Sequence, residues 1–396
     1  MTTRQTEQAR AALDAFTIEL PSWGFANTGT RFGKFIQSSA ATSTEEKLAD
    51  AGAVHRVTGC CPSVAVHVLW DFPNGAPDVP AVMKCAAQNG VRIGAINPNV
   101  FQDQCYKNGS LGNPDLEVRK TALSHILDSI EIQRATGSRD LSLWFADGIS
   151  YPGTGSIRAR RNWFIGGLKT VHAALSGEQR MLVEYKPFEP AFYATDIADW
   201  GMSYIYCKYA GQQAKVLVDT GHHYQTQNIE QIVAWLLGEN MLGGFHFNDR
   251  RYADDDLTLG CMDPYQVFRI FHEICYFTWE TSRVPDIAYM VDQSHNLKNK
   301  IEETIQTSNN AQELFAKASL VNHEKLAACQ MKGELIEAEE TLREAFFADV
   351  RPLLREWRKS KGLPEDPISA FRESGYLKKA EKDRAERNKS AVSSYA

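Results

Sequence analysis

Gly243-Gly244-Phe245-His246-Phe247-Asn248-Asp249, followed closely by Asp254-Asp255-Asp256, is the stretch on which the reading of the chain turns. An apolar run ends in a histidine, and a loop with three consecutive carboxylates comes straight after it. An imidazole and carboxylates converging from one strand end and its loop form a natural site for a divalent metal. Such a site needs further ligands from similar strand ends, and on either side of this stretch the chain offers them.

Working outward, short apolar runs alternate with amphipathic ones. Phe16–Trp23, Val64–Trp70, Val91–Ile96, Asp140–Phe145, Met181–Tyr185, Lys215–Asp219, Gly243–Phe247 and Ile287–Asp292 read as strands. Helices are expected over Ser43–Val57, Val79–Asn89, Glu117–Thr136, Ser156–Leu175, 191–211, 228–240 and 264–276. The first is opened by a capping box, Ser43-Thr44-Glu45-Glu46. Short buried strands joined by helices argue for a parallel sheet, and eight such units predict a (β/α)8 TIM barrel rather than an open α/β sheet.

Residues 1–15 read as a helix or loose leader, and the loop Gly24–Arg31, with Thr28-Gly29-Thr30, as mobile. The barrel is expected to occupy 1–297. Beyond it strand signals cease and charged helical runs such as Ala311–Ala328 and Gly333–Ala348 take over. Residues 298–396 read as a long C-terminal helical extension that wraps a neighbouring subunit. For the final twenty residues a solvated tail is the alternative.

Hydrophobic residues at 43% and charged residues at 23% are ordinary for a globular chain of 396 residues. A net charge of −6, from 43 basic and 49 acidic groups, favours neither nucleic acid nor an anionic membrane. Met1–Glu7 is too polar for a signal peptide, and no apolar run approaches about 18 residues. The eight cysteines form no C-x-x-C pair. Reduced thiols of this kind predict a cytoplasmic protein.

Barrel active sites lie at the C-terminal ends of the strands. The fifth expected strand carries Glu184 near its end, the sixth ends in Asp219, the seventh carries His246 and the eighth ends in Asp292. A carboxylate at one strand end is more often a helix cap, but four successive strand ends each offering an oxygen or nitrogen donor point to a shared ion. His222 lies three residues past Asp219, and Asp254 and Asp256 follow His246. In an extended loop, residues two apart face the same way, so Asp254 and Asp256 can share an ion while Asp255 points elsewhere. Oxygen donors with two imidazoles suit Mg2+, Mn2+ or Co2+, and their number suits two ions. The first would use Glu184, Asp219, His246 and Asp292. The second would use His222, Asp254 and Asp256, bridged by Asp219.

Longer motifs carry a resemblance. They are Pro21-Ser22-Trp23-Gly24, Val66-His67-Val68-Leu69-Trp70-Asp71, Glu184-Tyr185-Lys186 with Glu189-Pro190-Ala191-Phe192-Tyr193, Val218-Asp219-Thr220-Gly221-His222-His223, the opening stretch, and Met290-Val291-Asp292-Gln293-Ser294-His295-Asn296. In this order the chain resembles the xylose isomerase-like barrels and, within them, the broad-specificity bacterial L-rhamnose isomerases. The similarity runs from about residue 16 to Ser374-Gly375-Tyr376. It implies two divalent ions, manganese foremost, and interconversion of an aldose with its 2-ketose. It also implies that Asp292 positions a water or acts as base. The loop residues Ala26-Asn27 do not match the pattern.

Lys186, two residues past Glu184, is either a surface lysine or a cation for the sugar's O1. His67, in an apolar run, is either a core histidine or, as the resemblance implies, a sugar contact. Ser294 and His295 would relay a proton unless Ser294 is a cap. Trp23, Phe101 and Trp144 fall at or beyond strand ends one, three and four. They are core residues or, by the resemblance, a wall against the sugar's C–H faces. The reading is therefore an aldose–ketose isomerase acting on a small sugar, as a homo-oligomer (tetramer or dimer). A sugar 3-epimerase on the same barrel and a metal-dependent phosphodiesterase acting on nucleic acid are the alternatives.

Overall fold

The computed structural model describes residues 3–27, 35–189, 193–252, 254–294 and 297–389. Thr28-Gly29-Thr30, Pro190-Ala191-Phe192 and His295-Asn296, with the relay expected of His295, lie outside them. Eight parallel strands form the main sheet: β1 Leu20–Pro21, β2 Ser63–His67, β3 Arg92–Asn97, β4 Asp140–Leu143, β5 Arg180–Glu184, β6 Ala214–Asp219, β7 Leu242–Phe247 and β8 Ala288–Val291. Each pairs with the next in chain order. Glu19, just ahead of β1, closes the ring: its N–H donates to Tyr289 O at 2.8 Å and its carbonyl accepts from Val291 N at 2.9 Å. Helix α1 (Thr3–Ala15) precedes the barrel. Around it follow α2 Thr44–Thr58, α3 Val79–Gln88, α4 Leu116–Thr136, α5 Ile157–Ala174, α6 Trp200–Ala210, α7 Ile229–Gly238, α8 Pro264–Thr281 and α9 Lys300–Ser319. The fold is a (β/α)8 TIM barrel.

Strands covered on both faces need no polar alternation, and every residue of β5 and β7 is buried. The glycine pair of β7 has a packing reason. A Cβ on Gly243 would lie 2.5 Å from Leu182 and Lys215 side-chain carbons, and one on Gly244 would lie 2.8 Å from Ala288 O. Ala65, Ala95, Leu182, Leu217 and Met290 fill the lumen beneath Trp23, apart from the larger core between strands and helices.

The helices start where side-chain acceptors meet their free N–H groups. Asp115, Ser156, Asp199, Asn228, Asp263 and Asn299 cap α4 to α9. Only half of the expected capping box forms. Ser43 accepts from Glu46 N at 3.4 Å, but the Glu46 carboxylate turns to Thr42 N at 2.9 Å instead of Ser43 N.

Three expected elements differ, one being the helical run Ala311–Ala328, which breaks at 320–322 between helices Lys300–Ser319 and His323–Lys332. The strand expected over Phe16–Trp23 keeps only Leu20–Pro21 in the sheet, because Pro21 has no N–H and the chain turns at once into a 3-10 turn, Ser22–Phe25. The helix expected from 191 begins only at Trp200. Ahead of its Asp199 cap, Tyr193–Thr195 pairs antiparallel with Gly148–Ile149 and Phe188–Glu189 in a small second sheet beyond β4 and β5.

Past the strands, α9 packs on α8, α1 and α2 in the eighth helical place, burying Ile301, Ile305, Ala311 and Leu314. The chain continues through α10 His323–Lys332, α11 Leu335–Phe347, α12 Arg351–Ser360, α13 Pro367–Glu373 and α14 Tyr376–Lys389. Contacts return to the same barrel: Trp357 Nε1 donates to Asp14 at 2.9 Å, and Arg384 pairs with Asp50 at 2.8 Å. No described helix is long and apolar enough to cross a membrane.

Candidate metal centre

Parallel strands deliver their terminal side chains to one rim. Glu184 and Asp219 end β5 and β6, His246 is the penultimate residue of β7, and Asp292 follows β8. One ligand atom from each lies within 4.8 Å of all the others, the one such group among the described residues. His246 Nδ1 is 3.2 Å from Glu184 Oε2. His222 reaches in from the loop after β6, its Nδ1 3.2 Å from Glu184 Oε1 and its Nε2 3.3 Å from Asp254 Oδ1 and 3.9 Å from Asp219 Oδ2.

The acidic loop turns Asp254 and Asp255 to opposite sides, as the spacing predicts. Asp255 turns away and accepts from the backbone N–H groups of Arg251 and Tyr252. Asp254 faces inward and accepts from Lys186 Nζ at 2.6 Å. Asp256 adopts a left-handed backbone (φ 49°), a conformation costly for a non-glycine residue. Burial and the facing Asp254, Asp292 and Asp219 carboxylates push its carboxyl well above the usual range.

Opposite charges dominate at Glu184, His246 and His222, and burial at Asp219. Burial would raise Glu184, but His246 and His222 outweigh it and hold the carboxyl at about 2. Burial works against a charged His246, yet Glu184, Asp292 and Asp219 raise it to about 9. His222 is likewise held well above its ordinary value against burial, by Asp219 and Asp254. Asp219 rises to about 7 through burial, against the pull of His222.

A cation fits this donor set. Asp219 Oδ2 and His246 Nε2 are buried with no hydrogen-bond partner in the chain. Each such atom costs roughly 1–3 kcal/mol unless something satisfies it. Carboxylates with imidazole suit a hard or borderline divalent ion.

Beside these groups runs an arc of rings. Trp23 meets His67 at 4.7 Å between centroids, His67 meets Phe101 at 5.7 Å, and Phe101 meets Trp144 at 4.9 Å. Lys186 Nζ continues the arc 5.5 Å from the Trp144 ring. Burial and the Lys47 and His246 charges lower His67 to about 3, so its ring is neutral, and its Nδ1 has no partner. Trp23 Nε1 donates to Asp292 Oδ1 at 2.8 Å. Ser294, two residues past Asp292, is half-buried.

Three participants were not singled out from sequence. Glu189 accepts from Lys186 Nζ at 3.0 Å, and its i+3 spacing from that lysine was the available signal. Asn248 lies inside the opening stretch; its Nδ2 spans Asp219 Oδ1 at 3.0 Å and Asp292 O at 3.1 Å. Asp71 sits in the Trp70-Asp71 motif and holds Lys47 at 2.8 Å, Ser22 at 2.6 Å and His67 N at 3.0 Å, but nothing local marks it.

No family model matches the sequence. The chain is 36% identical over 375 residues to a probable sugar isomerase of Rhizobium meliloti (strain 1021), covering 93% of this chain and 86% of that protein. It is 35% identical over 380 residues to a probable sugar isomerase of Mesorhizobium japonicum, covering 95% and 87%. A xylose isomerase of Thermus thermophilus is 25% identical over 263 residues, 62% of this chain and 65% of that one. Among solved structures, a 3-keto-D-glucoside 4-epimerase from E. coli superposes with a TM-score of 0.54 at 12% identity, covering 75% of this chain and 98% of that one. At such identity the likeness concerns the barrel alone.

Proposed function

The chain belongs to the sugar isomerase family of its two rhizobial relatives, and on that premise we propose that it interconverts an aldose with its 2-ketose, L-rhamnose with L-rhamnulose among them. The observation that carries the reading is the convergence of Glu184, Asp219, His246 and Asp292 within 4.8 Å, with unpartnered buried atoms on Asp219 and His246. These four would hold one divalent ion. His222, Asp254 and Asp256, sharing Asp219, would hold a second, with Mn2+ preferred over Co2+ or Mg2+. Bound ions supply Lewis-acid stabilisation for charge developing on the sugar oxygens.

The chain's own groups do the rest. Lys186, buried and fixed by Glu189 and Asp254, presents an oriented ammonium to O1. The Trp23, Phe101 and Trp144 rings pack the apolar faces of the sugar and exclude water. The neutral His67 accepts from a sugar hydroxyl at Nδ1. Asp292, one oxygen pinned by Trp23, serves as base for a hydroxyl proton, with Ser294 beside it as relay. We place the enzyme in the cytoplasm as a homo-oligomer. Exposed Met331, Leu335, Ile336 and Phe347 on α10 and α11 support association through the C-terminal extension.

A manganese-supplemented assay against L-rhamnose, L-mannose, L-lyxose, D-allose and D-ribose tests the proposal. Ketose formation that EDTA abolishes and manganese restores is expected. With the matching 2-ketoses supplied in parallel, C3 epimers of a ketose without aldose–ketose exchange would transfer the site to the 3-epimerases, and no turnover of aldose or ketose would sink both.

A further inference from the structure

Helix α14 lies far in sequence from every strand-end ligand, and its buried residues are only Ala380, Arg384 and Asn388. Tyr376 and Leu377 pack partly buried at its start, but beyond Ala380 no apolar side chain is buried, so its C-terminal half docks through directional bonds. Asn388 is 2% exposed; its Nδ2 donates to Ser38 O and Ala40 O, both at 3.0 Å, and its Oδ1 accepts from Asn27 Nδ2 at 2.8 Å. One turn earlier, Arg384 donates to Ser39 O at 2.8 Å while paired with Asp50 of α2.

The bonded segments are the two flanks of the loop that follows β1. Those flanks also meet directly, through Ala41 N to Phe25 O at 2.8 Å and Gln37 N to Asn27 Oδ1 at 3.0 Å. On its inner side the loop carries Trp23, whose indole N–H holds Asp292. On its outer side it grips the segment beyond Asp292: Gln37 Nε2 donates to Lys298 O at 2.6 Å, and Asn299 Nδ2 donates to Ser39 Oγ at 3.3 Å. A single buried amide on the last helix thus sits where the loops bearing Trp23 and Asp292 are joined.

We propose that Asn388 and Arg384 are positioning residues for the candidate site: α14 clamps both flanks of the β1 loop so that Trp23 stays on Asp292. The kinetic consequence rests on the isomerase reading; the consequence for metal binding and loop order does not. The test uses the full-length chain with Asn388→Ala, and with Lys382→Ala, an exposed position on the same helix, as control. Three quantities are measured: the Mn2+ dissociation constant without sugar, amide exchange over residues 22–27 and 36–42, and KM and kcat on whichever aldose is converted. For Asn388→Ala, Mn2+ binding weakens about 10-fold, exchange over both segments accelerates, and KM rises more than kcat falls. The control and the mass in solution do not change.

A lowered Tm with unchanged Mn2+ affinity and unchanged exchange over 22–27 would reduce α14 to a structural helix and overturn the proposal. If Asn388→Ala does not fold, Asn388→Asp, which keeps the acceptor for Asn27 and loses both donors, carries the same test. If the wild type converts no aldose, the isomerase reading fails, while metal affinity and exchange still decide on the clamp.

Discussion

At the scale of single residues, the strongest commitments concern Asp292 and His222. Asp292→Asn keeps the oxygen that Trp23 engages but removes the charge, and His222→Ala removes the imidazole that lies between Asp254 and Glu184. Each is expected to lower kcat at least about 100-fold while circular dichroism remains native. Near wild-type turnover in either would count against the proposed roles. Gly221 makes a subtler case. A Cβ there would come within 2.3 Å of Asn248 Oδ1, on the amide that ties Asp219 to Asp292. Gly221→Ala should weaken Mn2+ binding about 10-fold, measured by calorimetry, and unchanged affinity would release Asn248 from its orienting role. The convergence of the four strand-end groups was legible because each sits at a fixed point of a β–α unit. Glu189 and Asn248 were in view but unmarked, because their importance lies in which atom they touch.

At the scale of elements, the packing of α10 on α8 sets a pH dependence away from the candidate site. His272 and His323 stand 5.4 Å apart between ring centroids, and His272 Nδ1 and His323 Nε2 are unpartnered. Burial, with the neighbouring His323, lowers His272 to about 3, and burial lowers His323 to about 4, against an ordinary 6.5. The unfolded chain therefore takes up protons first as pH falls below 6.5, and the stability these neutral rings contribute is lost progressively toward pH 4. Between about pH 7 and about pH 5, Tm should fall further in the wild type than in His272→Phe/His323→Phe. Parallel falls would remove the pair from the account. Two element boundaries moved for different reasons: Pro21 cut β1 short locally, and a tertiary partner moved the start of α6. Tyr193–Thr195 became a strand because Gly148–Ile149 and Phe188–Glu189 were there to pair with it.

At the scale of the molecule, the extension divides into parts with different duties. Helix α9 packs on α8, α1 and α2 and sets Phe315 against Tyr289 of β8, so a chain ending before Lys300 would expose that core and is expected to be insoluble or molten by ANS binding. Ile336→Glu with Phe347→Glu touches only exposed side chains. It should leave the fold intact and lower the mass in sedimentation; an undiminished mass would refute association through α11.

Periodicity and strand-end chemistry by themselves determined the eight-fold repeat and which carboxylates and imidazoles could meet. Backbone hydrogen bonding and burial impose those patterns over a few residues at fixed intervals. Only the folded chain decided that Lys186 is shared by Glu189 and Asp254, and that Trp23 reaches Asp292 across 269 residues. It alone decided that Asn388 closes on the loop after β1. These are meetings between distant segments, and their geometry exists only once the ring has closed and side chains compete for the same buried partners.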